Sequence, residues 1–488
     1  MTAIQLQRHG LTLVRENSRV ILRPFIPSNR QITTILGRAL ALTEALAKER
    51  LEAMLEEFDH RHFDLEAVLL ANFERISGQV FTDLPLSLAR RMLIGALFSG
   101  EYALESAALF NPSMVPHPDQ TGVPEGCLRY VMSLRATGEG HISSIEFRTG
   151  QITPSGVSLD PVSGRVALPR LEPNPWYQKL AFLLKLHEMG FNNRHADNVL
   201  EVLGSDFNRS ELDQSVARVR RETVPRTQDL DNTLRCVRWL ADSNYEMTFA
   251  PGYDLGDRAI FPNSANESNG IEDARFVRFQ EPDGSVLYYA TYTAFNGYAI
   301  LPQLIETQDF NHFRVLTLNG SAVQNKGMAL FPRRIDGNYA MLSRQDEENL
   351  FIMFSDNPHY WSDPRTLLRP AELWEAVKVS NCGSPMETES GWLVLTHGVG
   401  PMRKYCIGAV LLDLEDPTRV IGRLREPLIQ PEGSGREGYV PNVVYSCGAL
   451  IHGRQVIIPY AMSDQASSVV SVDLDALLAA LRDGLRGA

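Results

Sequence analysis

The stretch from Ile271 to Asn296 carries the densest chemistry in the chain. It opens on adjacent carboxylates, Glu272 and Asp273, with Arg275 two residues on. An arginine at that spacing keeps a carboxylate ionised or orients it. Two β-rich runs follow, joined by the turn signal Pro282-Asp283-Gly284. The second run, Val286 to Thr293, holds Tyr288, Tyr289 and Tyr292 and reads as a strand. The acidic pair thus stands at the entrance to a hairpin, where a loop holds a carboxylate over a pocket. Taken alone, Asp-x-Arg is common, and these residues favour a structural salt bridge capping a strand.

Other polar groups recur at comparable places in successive β blocks. They are Asn111 and Arg135, then Asn325, Lys326 and Arg344, then Lys378, His397 and Tyr405, then Glu437, Asn442 and Asp464. One or two carboxylates among basic and amide groups suit a polyhydroxylated substrate with an anion beside it. Singly, each reads as a surface or structural group. His397, between Thr396 and Gly398 at the end of an apolar strand, reads equally as a satisfied core histidine. Recurrence from block to block gives the set its weight.

The elements that must position these residues are mostly strands. From Asn244 to Val472 the chain is strand and turn, in blocks at 271–310, 322–356, 384–413 and 440–473, and a further block at 109–150 makes five. Repeating β units of roughly 40–50 residues predict a propeller. The expected fold class is therefore mainly β, a five-bladed β-propeller over residues 105–488 with an α-helical N-terminal region at 1–104. In that region an arm or strand at 19–27 precedes a helix from Ile32 to Phe58. A second helix, capped by Asp64, runs through Ile76, and a third runs from about Pro85 to Ala108. Its amphipathic pattern predicts a packing or oligomerisation appendage, hence a homo-oligomer. A helical insertion at about 175–240 interrupts the β pattern, with Arg218, Arg220 and Arg221 on a solvated face. A short helix ends the chain.

Composition narrows the partners. At 488 residues the chain exceeds one ordinary domain unless the fold is repetitive. A formal net charge of -12 argues against nucleic acid or an anionic membrane surface. No apolar run reaches membrane-spanning length, and the first residues lack the apolar core of a signal peptide. Cys127, Cys236, Cys382, Cys406 and Cys447 are scattered without ligand spacing, which predicts reduced thiols in a cytoplasmic protein and no metal site.

The stretches GIEDARFV, ALFPRRIDGNYAMLSR, GWLVLTHGV, YCIGAVLLDLEDPTRVIGRLREPLIQPE and GYVPNVVYSCGALI, with FNPSMV and SLRAT for a first blade, resemble glycoside hydrolase family 130. These are the β-mannoside phosphorylases and their hydrolase relatives. The resemblance covers roughly residues 105–150 and 240–480. It implies a five-bladed propeller that acts on β-mannosides or manno-oligosaccharides with inversion. The family's general acid lies in a Glu-Asp-Pro-Arg motif, here Glu272-Asp273-Ala274-Arg275, which implies Asp273. The mannose subsite carries over to Asn111, Arg135, Asn325 and Asp464, and the phosphate pocket to Arg344, Lys378, His397 and Tyr405. Inorganic phosphate is then co-substrate and nucleophile, so neither a second carboxylate base nor a cofactor is implied.

Three stretches depart from the family pattern. Ala274 replaces proline, which changes loop stiffness more than chemistry. Gln345-Asp346-Glu347-Glu348 replaces a proline-containing turn, and its carboxylates read as solvated residues pointing away. Residues 381–389 also differ, placing Met386 and Glu387 on the acceptor side. Phosphorolysis leads. An inverting β-mannosidase with Asp346, Glu347, Glu348 or Glu437 as base is the runner-up, and a non-catalytic glycan-binding propeller is the reading from another class.

Overall fold

The runs expected as strands fold into successive antiparallel meanders. The computed structural model describes residues 4–82, 84–298 and 300–486. Its first meander joins Ala108–Pro116, Leu128–Thr137, Ser143–Thr153 and Gly156–Leu159. The second joins Gly270–Gln280, Val286–Phe295, Ile300–Thr307 and His312–Thr317. A parallel contact of Gly270 with Ser143 merges these two into one larger sheet. A third runs through Ala329–Leu330, Tyr339–Ser343, Leu350–Ser355 and Arg365–Leu368. A fourth runs through Lys378–Asn381, Gly391–Val399, Tyr405–Leu412 and Val420–Arg423. The last contains Val444–Tyr445, Gln455–Met462 and Ala466–Asp473.

The outer strand of that last sheet comes from the other end of the chain. Leu6–Leu13 pairs antiparallel with Ala466–Asp473. Its own residues do not announce a strand, because Arg8, His9 and Gly10 interrupt any alternation. The open edge of Ala466–Asp473 supplies its hydrogen-bond partners. Between sheets the core is apolar and aromatic. Phe147, Phe276, Phe310 and Phe313 pack among the first two meanders with ring centroids 5.4–6.1 Å apart. Gly391–Val399 is buried along its whole length, which is why it reads as a continuous apolar run.

The N-terminal helices are α1 (Asn29–Leu40), α2 (Glu44–Phe58), α3 (Leu65–Ile76) and α4 (Leu88–Leu97). The single helix expected from Ile32 to Phe58 is broken after Leu40, and Thr43 starts α2 by accepting a hydrogen bond from the Leu46 N–H at 3.3 Å. The helix expected to reach Ala108 ends at Leu97, because Ser99–Ala103 leaves to pair with Val20–Pro24. Asp64 does not cap α3. Its backbone is left-handed (φ 53°), and its carboxylate accepts from the Tyr253 hydroxyl at 2.6 Å instead. The apolar faces of α1, α3 and α4 close on one another through Ile32, Leu36, Phe73, Ile76 and Ile94.

The insertion holds α5 (Lys179–Glu188), α6 (Arg194–Glu201), α7 (Arg209–Glu222) and α8 (Gln228–Asp242) around a core of its own. Lys185 Nζ ties it to the β region by donating to the Leu318 carbonyl at 2.7 Å. Arg220 and Arg221 are exposed as expected, while Arg218 is half-buried and donates to the Asn198 carbonyl. Helix α9 (Leu474–Arg486) ends the described chain. No helix among the described residues is long and apolar enough to cross a membrane. The architecture is mainly β with helical additions.

Candidate active site

Five of the polar residues singled out from the sequence share an uncommon backbone. Asn111 (φ 50°), Asp273 (φ 56°), Asn325 (φ 60°), Asn442 (φ 62°) and Asp464 (φ 53°) are all left-handed. Asn and Asp tolerate that region best among residues with a Cβ, but holding it still costs about 1–3 kcal/mol each. Asn111 and Asp273 sit in register shifts of their strands, between Phe110 and Ser113 and between Glu272 and Arg275. A bulge of this kind turns a side chain away from the alternation of its strand and re-aims it. Strand pairing on either side holds the strained residue in place.

The bulged side chains meet. Asn111 Nδ2 donates to Asp273 Oδ1 at 2.7 Å, and Arg135 Nη1 approaches the same oxygen at 3.4 Å. Arg135 Nη2 donates to Glu272 Oε1 at 2.7 Å, its Nε donates to Ser143 Oγ at 2.9 Å, and its guanidinium lies over the Phe110 ring. Arg275 donates to the Asp273 carbonyl at 3.0 Å and to the Tyr445 hydroxyl at 2.7 Å. Lys326 Nζ stands 3.8 Å from Glu272 Oε2.

Electrostatics separates the two aspartates. Burial acts to raise the Asp273 pKa, but the charges of Arg135, Lys326 and Arg275 and the Asn111 hydrogen bond outweigh it and hold the group at about 2. Asp464 goes the other way. Burial and then the charge of Asp273 push it up to about 6, against Arg135 and Lys326. Near neutral pH the unliganded site therefore holds Asp273 as a carboxylate, and Asp464 is the carboxyl that titrates near pH 6.

Beside this cluster lies a cationic pocket. Arg344 is buried and donates through Nη2 to Asn325 Oδ1 at 2.9 Å, while its Nε is buried with no protein partner among the described residues. Lys378 lies near enough to Arg344 that burial and then that charge depress its pKa. His397 is buried, its ring stacked on Tyr405 (centroids 5.9 Å, 13° between planes) and tilted against Tyr445 (4.8 Å). Burial, and then Arg344, Lys378 and Arg275, hold it well below the ordinary histidine range, so it is neutral. Its Nδ1 faces the Asn381 carbonyl at 3.3 Å, which requires the proton there and leaves Nε2 as an acceptor. Gly398 makes room below: a Cβ there would fall 2.4 Å from the Trp374 ring.

All nine residues expected for the site are thus linked, in two adjoining groups. Asn111, Arg135, Asp273 and Asp464 form one, and Arg344, Lys378, His397 and Tyr405 the other. Asn325, expected with the sugar, is bonded to Arg344 and stands with the cationic group. Glu272, Lys326 and Arg275 knit the groups together. Tyr445 was missed. It lies in GYVPNVVYSCGALI, where its place beside a repeat strand was the available signal. The acidic run divides: Asp346 bonds within its own turn, whereas Glu347 accepts from Asn325 Nδ2 at 2.7 Å and lies 3.7 Å from Lys378 Nζ. Glu347 therefore does not point away, because two donors of the pocket draw it inward.

Met386 and Glu387 do not border this site. Met386 packs in the core and Glu387 forms a bidentate pair with Arg333 at 2.8 and 2.9 Å. Both line a separate cavity of about 600 Å³ that also touches Gln280 and Pro282. None of the nine expected site residues lines that cavity, although Phe276, three positions from Asp273, does.

Residues 256–483 match the sequence profile of the family described as beta-1,4-mannooligosaccharide phosphorylase, glycoside hydrolase family 130. The 1,2-beta-oligomannan phosphorylase of Thermoanaerobacter sp. (strain X514) is 34% identical over 223 residues, which is 45% of this chain and 73% of that protein. The beta-1,2-mannobiose phosphorylase of Listeria innocua serovar 6a is 31% identical over 227 residues, or 45% of this chain and 62% of that protein. A solved structure of the Listeria innocua enzyme with beta-1,2-mannobiose covers 77% of this chain and 92% of its own, at 21% identity and a TM-score of 0.46. With a relative one-third identical over nearly three quarters of its length, and a profile match spanning Asp273 through Asp464, the chain belongs to glycoside hydrolase family 130.

Proposed function

We propose that this protein is an inverting β-mannoside phosphorylase. It takes β-mannosides, manno-oligosaccharides among them, and inorganic phosphate to α-mannose 1-phosphate and a shortened acceptor. We infer that its meanders are the blades of a five-bladed β-propeller, closed by Leu6–Leu13 on the last sheet, and that it works in the cytoplasm. The observation that carries the reading is a bulge-held Asp273 adjoining a cationic pocket in which a buried Arg344 N–H has no partner among the described residues.

In this reading Asn111, Arg135 and Asp464 hold the mannose unit. Phosphate lies against Arg344, Lys378, His397 and Tyr405 and attacks the anomeric carbon from the face opposite the leaving oxygen. The carbon–oxygen bond to the acceptor breaks, and its electron pair takes a proton that Asp273 supplies through a hydroxyl of the bound sugar. Phosphate is already anionic, so no general base is required. The resting site favours ionised Asp273, but a phosphate anion bound in the adjoining pocket adds negative charge beside it, which raises its proton affinity for the acid role. His397, neutral with Nε2 free to accept, suits a phosphate hydroxyl rather than a bare oxyanion. The chemistry needs protons and phosphate and no cofactor.

A second reading has one observation in its favour: Glu347 stands at the mouth of the cationic pocket, where it would serve as base for water in an inverting mannosidase. Against it, the Asn325 hydrogen bond and the charges of Arg344 and Lys378 depress the Glu347 pKa, the wrong direction for a base. Short β-linked mannosides incubated with and without phosphate separate the two. Phosphate-dependent mannose 1-phosphate is expected. Free mannose released at the same rate with or without phosphate would overturn the proposal in favour of hydrolysis.

A further inference from the structure

The turn between Tyr339–Ser343 and Leu350–Ser355 is fixed by its own aspartate. Asp346 accepts from the Glu348 N–H at 2.9 Å, the Asn349 N–H at 2.6 Å and Asn349 Nδ2 at 2.8 Å. With the backbone so held, the next side chain, Glu347, crosses the mouth of the cationic pocket. One carboxylate oxygen accepts from Asn325 Nδ2 at 2.7 Å and the other lies 3.7 Å from Lys378 Nζ. The same Asn325 amide accepts from Arg344 at 2.9 Å. Glu347 thus stands against Lys378, a donor for an incoming anion, and against the Asn325 amide that is bonded to Arg344.

Its hold is weak. The Glu347 side chain is 76% exposed, against 16% for Lys378, so the pair is solvated from one side and screened by salt. A phosphate dianion carries twice the charge, has more acceptor oxygens, and reaches Arg344 as well. Exchange of one anion for the other needs only a side-chain rotation into water.

We propose that Glu347 is a displaceable counter-ion of the phosphate pocket. It takes Asn325 and Lys378 while the pocket is empty and swings into solvent as phosphate enters, so that it sets the phosphate concentration at which the enzyme fills. This rests on the reading of the pocket as a phosphate site. It makes Glu347 a determinant of nucleophile affinity, acting through competition and through neither bond making nor proton transfer.

The test compares wild type with Glu347→Gln and Glu347→Ala. The readouts are phosphate KM and mannoside KM in phosphorolysis, and inorganic phosphate binding by calorimetry at low and high chloride. Both variants are expected to bind phosphate about two- to fivefold more tightly, with the gain concentrated in phosphate KM and shrinking as salt rises. If wild type phosphorolyses mannosides but phosphate KM is unchanged or raised in both variants, the counter-ion role is overturned while the phosphorylase reading stands. Loss of phosphate-independent mannose release with phosphate KM unchanged would overturn it in favour of a base. Wild type that neither binds phosphate nor forms mannose 1-phosphate overturns the phosphorylase reading, and the inference falls with it.

Discussion

Two arginine–carboxylate clusters in this protein use the same side chains to different ends. In the first, Arg19 and Arg148 interleave with Glu105 and Glu146. Arg19 Nε is 2.6 Å from Glu146 and 3.1 Å from Glu105, and Arg148 is 2.5 Å from Glu105 and 3.3 Å from Glu146. All four are buried, and together they fasten the arm before Val20–Pro24 to the strand Ser143–Thr153. In the second, Arg135 pairs with Glu272 and Asp273. Both clusters split their carboxylates. Burial and then the Glu146 charge raise Glu105, just as burial and then Asp273 raise Asp464. A displaced proton affinity therefore does not by itself mark a site. The differences are the backbone and the access. Asp273 is left-handed in a bulge, and its neighbours Lys326 and Arg135 keep some exposure, whereas Arg19 and both glutamates of the first cluster have none.

Removing the key carboxylate from each cluster should give opposite signatures. Asp273→Asn keeps the Asn111 contact and the volume but not the proton. We expect kcat to fall by about 10²–10⁴-fold, with the urea midpoint lowered less than in the other cluster, since Arg135 keeps Glu272 as a partner and some exposure to water. Retained activity with a lowered midpoint would make Asp273 the strand-capping salt bridge that its local sequence favours. Glu146→Gln should do the reverse. It leaves Arg19 and Arg148 short of a buried partner charge, which costs about 3–5 kcal/mol of stability, while kcat per folded molecule holds. Urea unfolding and active-site-normalised kinetics on the same preparations read both quantities.

Of these two differences, access was partly legible in the sequence and backbone strain was not. The β blocks and their polar residues could be read because turns and strand composition are local signals. The strand Leu6–Leu13 could not, since its partner lies more than 450 positions away, and neither could the closed cluster, whose four charges come from three distant segments. Asp273 was found through the motif around it, but nothing in Glu-Asp-Ala-Arg shows a bulge. Glu347 is solvated as expected, but its direction was misjudged for a related reason. A carboxylate in a run of three reads as pointing away until Asn325 and Lys378, 22 and 31 residues away, are brought beside it. Helix ends failed where tertiary pairing overrode propensity, as at Ser99, which leaves α4 to meet Pro24.

A smaller effect sharpens the division inside the site. His397→Ala removes a buried acceptor facing the cationic pocket and touches none of Asn111, Arg135 or Asp273. Phosphate KM should rise about tenfold or somewhat more, as for a hydrogen bond to a charged group, while mannoside KM shifts little. An equal rise in both would mean that the ring only packs Tyr405 against Tyr445.

The smallest expected effect concerns Asp464, and its sign distinguishes the site's two aspartates. Asp464 has its pKa raised to about 6 in the folded protein, from an ordinary value near 3.8. The fold thus favours the protonated form. The group's cost to stability is absent below about pH 3.8, grows as pH rises through the interval to 6, and is complete above it. Asp273, held at about 2, has the opposite slope: its contribution is complete above pH 3.8 and lost below, outside this window. Asp464→Asn mimics the protonated acid at every pH. The stability difference between variant and wild type should therefore rise by on the order of 1–2 kcal/mol between pH 4 and pH 7, with groups that titrate alike in both proteins cancelling. Urea titrations at four pH values measure it. A flat difference would mean that Asp464 keeps an ordinary proton affinity. A falling one would mean that Arg135 and Lys326 dominate Asp464 as they dominate Asp273, leaving no carboxyl in the site to hold a proton near pH 6.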